Sequence, residues 1–290
     1  MVQKSNGGVL CAAGIGLRAP HYQHIQEQKP NIAWFEIHSE NFMMPGGPSR
    51  ELLRQIREDY PISLHGVSLS LGSADGLDQQ HLQLLLELID DIEPMLISEH
   101  ISWGRINGKH LHDLLPLPYT DESLEIISQH VIEAQDYLGR QILVENPSSY
   151  LCFNDNDYTE WEFITELLKR SGAGLLLDIN NVYVSCCNHG WSTQAYLDNI
   201  PTELVQEIHL AGHSKSEYEG QAVLIDTHSD VVCDEVWQLF SKFIENHGPR
   251  ATLIEWDEEI PEFAVLYNEA QKAENILHKA TKETSDASAA

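Results

Sequence analysis

Basic residues are the scarce component of this 290-residue chain: 17 Lys plus Arg stand against 45 Asp plus Glu, for a formal net charge of −28. Nucleic-acid affinity comes largely from cationic side chains that neutralise phosphates, so no nucleic-acid partner is expected. A basic peptide suits such a surface better. Cysteine is also sparse. Cys11, Cys152, Cys186, Cys187 and Cys233 are odd in number and none are spaced C-x-x-C. Neither a disulfide framework nor a thiolate zinc site is indicated, and a reducing compartment fits. The adjacent Cys186 and Cys187 read as loop thiols. Long apolar runs are missing, and none approaches the roughly 18 residues of a membrane helix. Gly8-Val9-Leu10-Cys11 lacks the preceding apolar stretch of about 7–15 residues that a secretion signal needs. The expectation is a cytoplasmic protein with no membrane partner. A phosphate-binding glycine fingerprint is lacking too, since Gly14-Ile15-Gly16 stands without its remainder.

What is present is an ordinary apolar fraction, 42%, arranged with a regular beat. Short apolar runs recur at Ala12–Leu17, Ile32–Ile37, Ile62–Leu69, Met95–Ile101, Gln141–Val144, Gly174–Ile179, Val205–Leu210 and Ala251–Trp256. Several are continuous rather than alternating, as expected of parallel strands covered on both faces. Amphipathic segments lie between them: Ser49–Tyr60, Asp78–Ile92, Asp121–Leu138, Thr159–Arg170, Asp234–His247 and Pro261–Leu277. Asp121 and Thr159 suit N-caps, and Gly139 and Gly172 suit helix stops. Strand and helix units of this number and size predict a (β/α)8 TIM barrel of the α/β class, in preference to a doubly wound sheet. Residues 1–280 are read as one domain and 281–290, small and polar, as a disordered tail.

The polar residues fall at the strand ends. From the third run onward, six successive runs finish at or next to His65, His100, Glu145, Asp178, His209 and Glu255, and Asp226-Thr227-His228 follows the seventh. In a barrel, C-terminal strand ends converge on one mouth. One such His or Asp is ordinarily a hydrogen-bonded structural residue. Eight imidazoles and carboxylates in register are a different matter, because unpaired buried charges each cost several kcal/mol. Bound cations remove that cost. Mixed His and carboxylate ligation suits iron, manganese or zinc. The remaining histidines divide into helix positions expected to be solvated (His81, His130, His247, His278) and loop positions (His24, His110, His112, His189).

Seven segments then carry a resemblance: Trp34-Phe35-Glu36-Ile37-His38-Ser39-Glu40-Asn41, Leu64-His65-Gly66-Val67-Ser68-Leu69-Ser70-Leu71-Gly72, Ser98-Glu99-His100, Glu145-Asn146-Pro147-Ser148, Leu177-Asp178-Ile179-Asn180-Asn181-Val182-Tyr183, His209-Leu210-Ala211-Gly212-His213 and Asp226-Thr227-His228. Together they resemble the DUF692/UPF0276 family, the multinuclear non-haem iron-dependent oxidative enzymes. The resemblance implies a TIM barrel holding two or three iron ions, mixed Fe2+ and Fe3+, with O2 as co-substrate. It implies oxidative modification of cysteine residues in a ribosomally synthesised precursor peptide, with a partner protein that recognises the leader. Carried over by position, His65, His100 and Glu145 would hold one iron. Glu145, Asp178, His209 and Glu255 would hold a second, and Asn181, Asp226 and His228 a weaker third. His38, Glu40, Asn41 and His213 are candidate substrate contacts or supports of the ligands. The alternative is a divalent-metal hydrolase or isomerase on a barrel like those of endonuclease IV and xylose isomerase.

Overall fold

The computed structural model describes residues 10–218 and 220–289. Its strands are β1 (Ala13–Gly16), β2 (Phe35–His38), β3 (Ile62–Gly66), β4 (Leu96–His100), β5 (Trp103–Ile106), β6 (Lys109–Leu115), β7 (Leu143–Glu145), β8 (Gly174–Asp178), β9 (Val205–Ala211), β10 (Ser214–Tyr218), β11 (Gln221–Ile225) and β12 (Ala251–Glu255). The helices are α1 (Tyr22–Gln28), α2 (Gly47–Asp59), α3 (Gln79–Ile92), α4 (Asp121–Leu138), α5 (Glu160–Ser171), α6 (Ile179–His189), α7 (Thr193–Asn199), α8 (Asp234–His247) and α9 (Phe263–Ala289). The order β1-β12-β9-β8-β7-β4-β3-β2 closes into a barrel, so each of the expected apolar runs carries one barrel strand.

Alternation along the strands sorts the side chains. Leu64, Ile97, Val144, Leu175 and Leu177 face outward into the main core beneath the helices. Trp34, Leu96, Leu143, Leu176, Ala251 and Leu253 form a separate cluster inside the barrel. Trp34 is fully buried and donates its indole N–H to the Ala12 carbonyl at 2.9 Å. Gly14 lies flat against that ring, where an added Cβ would stand 2.4 Å from Trp34 Cε2. Nearer the C-terminal strand ends the inward side chains turn polar.

The helix ends follow local chemistry. Asp78 caps α3 by accepting from the backbone of Gln80 and His81. Thr159 and Glu162 form a capping box on α5. For α4 the cap is Thr120, which accepts from Ser123 N, so Asp121 is a first-turn acid instead. Gly139 and Gly172 end their helices in the left-handed region, at φ 66° and 71°.

Other elements differ from expectation. The hairpins β5–β6 and β10–β11 leave the ends of β4 and β9, and strands β6 and β10 are largely exposed. His110 and His112 lie on β6, His24 on α1 and His189 on α6. Cys186 and Cys187 are helical, with Cys186 buried. His130 is half-buried and bonds the Leu71 carbonyl at 2.8 Å. Helix α9 continues through residues 281–289, where composition pointed to a tail. Among the described residues no helix is long and apolar enough to cross a membrane.

Two stability outcomes follow. Gly14→Ala drives a methyl into the Trp34 ring, and overpacking of this kind costs about 1–3 kcal/mol, read as a lower denaturant midpoint. Glu160 is fully enclosed, accepting from the hydroxyls of Tyr119 and Tyr196 at 2.8 Å each. Burial raises its carboxyl from 4.5 to about 7. The folded state then holds a proton that the unfolded state has released. Stability should fall by up to ~3 kcal/mol as pH rises from 4.5 through 7, then level off. Glu160→Gln should flatten that window in denaturation curves taken from pH 4.5 to 8; an unchanged slope would rule Glu160 out as its source.

Candidate metal centre

The register of the barrel brings together the side chains that sequence separates. His100 pairs with Glu145 across β4 and β7, and Asp178 with His209 across β8 and β9. His65, His100 and Glu145 place one donor atom each within 4.8 Å of one another, as do Glu145, Asp178 and His209. Glu145 is common to both groups. Asp178 also caps α6, accepting from Asn181 N at 2.6 Å. That helix starts directly off β8 and swings Asn181 over Glu145, to which its amide donates at 3.1 Å.

Three imidazoles are held at Nδ1 and show Nε2 to the mouth, and a fourth is turned the other way. For His65, Nδ1 meets Ser98 Oγ at 2.7 Å while Nε2 stands 3.3 Å from Glu145 Oε2. For His100, Nδ1 meets the Gly66 carbonyl at 2.9 Å and Nε2 stands 3.2 Å from the same Glu145 oxygen. His228 Nδ1 meets Asp257 Oδ2 at 3.1 Å and Nε2 stands 2.8 Å from Asp226 Oδ1. His209 is reversed: Nδ1 meets Glu255 Oε2 at 3.0 Å and Nε2 turns inward to Glu36. His228 sits at φ 47°, a costly backbone for a non-glycine residue, pinned by bonds from its N–H to Gly212 O and from Asp257 N to its carbonyl.

The electrostatics divide the groups in two. Burial holds His65 well below its ordinary value, with His100 and His209 adding repulsion, and burial takes His100 down to about 4. Both are neutral and keep a lone pair. Burial pushes Glu145 well up, and Asp178 to about 7 with Asp226 adding to the shift. His209 and His228 resist burial and rise well above normal, because Glu36 and Glu255 flank the first and Asp226 and Glu255 the second. Those charges in turn hold Glu255 well below the usual carboxylate range against its burial.

Among the described residues, Glu145 Oε2, Asp178 Oδ2 and Asn181 Oδ1 are buried without a hydrogen-bond partner, as are His209 Nε2 and the carboxylate oxygens of Glu36 and Glu207 deeper in the barrel. Leaving so many polar atoms bare is costly. Glu145, Asn181 and His228 line the cavity at the mouth, and a mixed oxygen and nitrogen donor set of this kind fits divalent or trivalent transition metals.

The expected supporting residues separate. His38 lines the cavity, beside Arg18 and 3.9 Å from Glu255. His213 reaches the centre indirectly: its Nδ1 pairs with Asn180, whose amide donates to Asp226 at 2.7 Å. Glu40 and Asn41 do not line the cavity. Glu40 bonds Val67 N and sits near His81, and Asn41 is exposed, because the 3-10 turn Ser39–Phe42 carries both away. Sequence reasoning missed Arg18 and Asp257, which join at the mouth rim, and the fully buried Glu36 and Glu207. The last two had a signal, because Glu-Ile-His occurs at both 36–38 and 207–209 and strand alternation puts Glu and His on one face.

A cavity of about 510 Å³ opens above the centre, walled by the hairpin residues Leu114 and Ile225 and by Tyr150 and Leu151. A family model described as "RiPP precursor modification enzyme MbnB/TglH/ChrH" matches residues 12–278, RiPP denoting a ribosomally synthesised and post-translationally modified peptide. The chain belongs to this family. Within the UPF0276 group, a protein of Vibrio vulnificus is 50% identical over 264 residues, 91% of each chain. Another from Rhizorhabdus wittichii is 49% identical over 267 residues, 91% of this chain and 94% of the relative. Solved structures share the fold at low identity. An L-ribulose 3-epimerase superposes with TM-score 0.61 at 11% identity, covering 96% of this chain and 98% of its own. Endonuclease IV from Thermus thermophilus gives 0.54 at 14%, covering 94% and 99%.

Family membership implies a precursor peptide as the substrate class. A buried carboxylate cluster also opposes folding when no cation is bound. Glu145→Gln, which keeps an amide partner for Asn181, should therefore stabilise metal-free protein at pH 8 by about 1 kcal/mol or more, read as a higher unfolding midpoint. The same change should lower metal content after purification. A drop in metal-free stability would contradict this account.

Proposed function

We propose that this chain binds two or three iron ions, in mixed Fe2+ and Fe3+ states, and with O2 oxidises cysteine residues of its precursor peptide. The observation that carries this is a set of three imidazoles held at Nδ1 with Nε2 turned toward carboxylates, and a fourth, His209, set between Glu255 and Glu36, with unpartnered donor atoms among them. One ion would lie among His65, His100 and Glu145, and a second among Glu145, Asp178, His209 and Glu255. A third would lie among Asn181, Asp226 and His228. Bound there, the metals would supply Lewis acidity toward a thiolate and one-electron chemistry with O2.

The protein's own part is positioning. Neutral His65 and His100 present Nε2 without first losing a proton. His209 and His228 give up protons as metal enters, which couples loading to pH. Leu114 (41% exposed), Tyr150 (42%) and Leu151 (61%) offer an apolar rim to a peptide. His38 lines the same cavity, within reach of a bound segment. A separate partner protein would recognise the leader, a proposal supported by the family resemblance alone.

Metal analysis of anaerobically purified protein should give at least two irons per chain, with a mixed-valence electron paramagnetic resonance signal. His65→Ala, Glu145→Ala and Asp178→Ala should each strip metal while the circular dichroism of the barrel persists. Supplied with O2 and the precursor, the loaded protein should change the mass of a cysteine-containing segment. Zinc alone would point to the hydrolase or isomerase alternative, and cluster content that survived all three substitutions would sink the ligand assignment.

A further inference from the structure

Beneath the mouth the barrel holds two carboxyls that the proposed ligand set does not use. Glu36 on β2 and Glu207 on β9 are both 0% exposed. Among the described residues no N–H or hydroxyl group other than His209 Nε2 is placed to donate to their carboxylate oxygens. Register surrounds them with little else that is polar: Glu207 pairs with Leu176 on one side and Ala251 on the other, and Glu36 with Gly16 and Ser63. His209 stands between this layer and the mouth. Its Nε2 lies 3.3 Å from Glu36 Oε1 and 3.9 Å from Glu207 Oε1, and it has no other partner.

We propose that Glu36 is the positioning residue of His209: its carboxylate takes the Nε2 hydrogen, fixes the ring, and so makes Nδ1 the nitrogen that ligates metal. The inference rests on the mouth being a metal centre. Its ground is the contrast among the imidazoles. His65, His100 and His228 are held at Nδ1 by Ser98, Gly66 and Asp257 and offer Nε2. His209 alone among these four is inverted, and the carboxylates of Glu36 and Glu207 face its Nε2 from below. In a dry interior an imidazole N–H and a carboxylate this close satisfy each other. A carboxylate on the far nitrogen of a ligating His fixes its tautomer and raises its basicity, and loss of such a partner typically costs 10–100-fold in metal affinity. Glu207, facing Glu36 from across the barrel, completes the layer.

The test uses 15N-labelled full-length protein loaded with Zn2+ and long-range 1H–15N correlation spectra of the imidazoles, with His209 assigned from His209→Gln. Wild type should show His209 as the Nε2–H tautomer and His65, His100 and His228 as Nδ1–H tautomers. Glu36→Gln keeps an acceptor oxygen, so it should keep that tautomer and bind Zn2+ within about tenfold of wild type. Glu36→Leu should lose the His209 pattern and weaken one Zn2+ by about 10–100-fold. Wild-type His209 in the Nδ1–H form would overturn the proposal, even if Glu36→Leu fails to fold. An unchanged tautomer and affinity in a folded Glu36→Leu would do the same. Wild-type protein that binds no metal would overturn the metal-centre proposal itself, whereas normal loading with the wrong tautomer removes only the role of Glu36.

Discussion

Closure of the sheet is the constraint on which everything else depends. Once β1 pairs with β12, every barrel strand end must face one mouth, and alternate residues have nowhere to point but inward. Side chains as distant in sequence as His65 and Glu255 then become neighbours whether or not their charges agree. The outward face provides the stability that tolerates this, through apolar strand residues packed beneath amphipathic helices. Inside, Trp34 and its apolar neighbours plug one end and leave the polar groups at the other. The candidate centre is thus a region where folding alone would not choose these residues.

Much of this was legible in the sequence, for a physical reason. Parallel strands covered on both faces read as continuous apolar runs, and a strand that stops abruptly in His, Asp or Glu marks the point where its environment changes. The barrel followed from the first of these facts, and the candidates at six strand ends from the second. The hairpins did not, because strands such as Lys109–Leu115 are exposed and owe their form to pairing rather than burial. Helix α6 was hidden because it begins without a loop at Asp178 and is built from Asn, Ser, Cys and β-branched residues, poor helix formers held by tertiary contacts. Glu36 and Glu207 were missed because attention to the last residue of a strand overlooks the inward position two residues earlier. Glu40 and Asn41 were drawn to the mouth by proximity to His38, but a single 3-10 turn was enough to carry them elsewhere.

Several residues answer to fold and site at once. Asp178 caps α6 and belongs to the carboxylate cluster, so the helix start and the candidate ligand cannot move independently. Asp257 accepts from both Arg18 and His228. It ties the rim to an imidazole whose own backbone is in the left-handed region. Such sharing ties the donor atoms, including those of the loop residues Asp226 and His228, to the barrel frame, which suits a site that needs precise placement.

The mouth is asymmetric in a way that bears on a peptide substrate. Its floor is dry and fixed: strand residues, zero exposure for Asp178 and His209, and imidazoles locked from behind. Its walls come from two-stranded hairpins and from the stretch Tyr150–Leu151 after β7, and these are exposed and partly apolar. A small substrate would be better served by walls that close over it and exclude water. A chain that must pass one residue to the floor while the rest remains outside is better served by a rigid base under an open, apolar rim. Family membership implies a precursor peptide, and the exposed, partly apolar rim is compatible with such a chain.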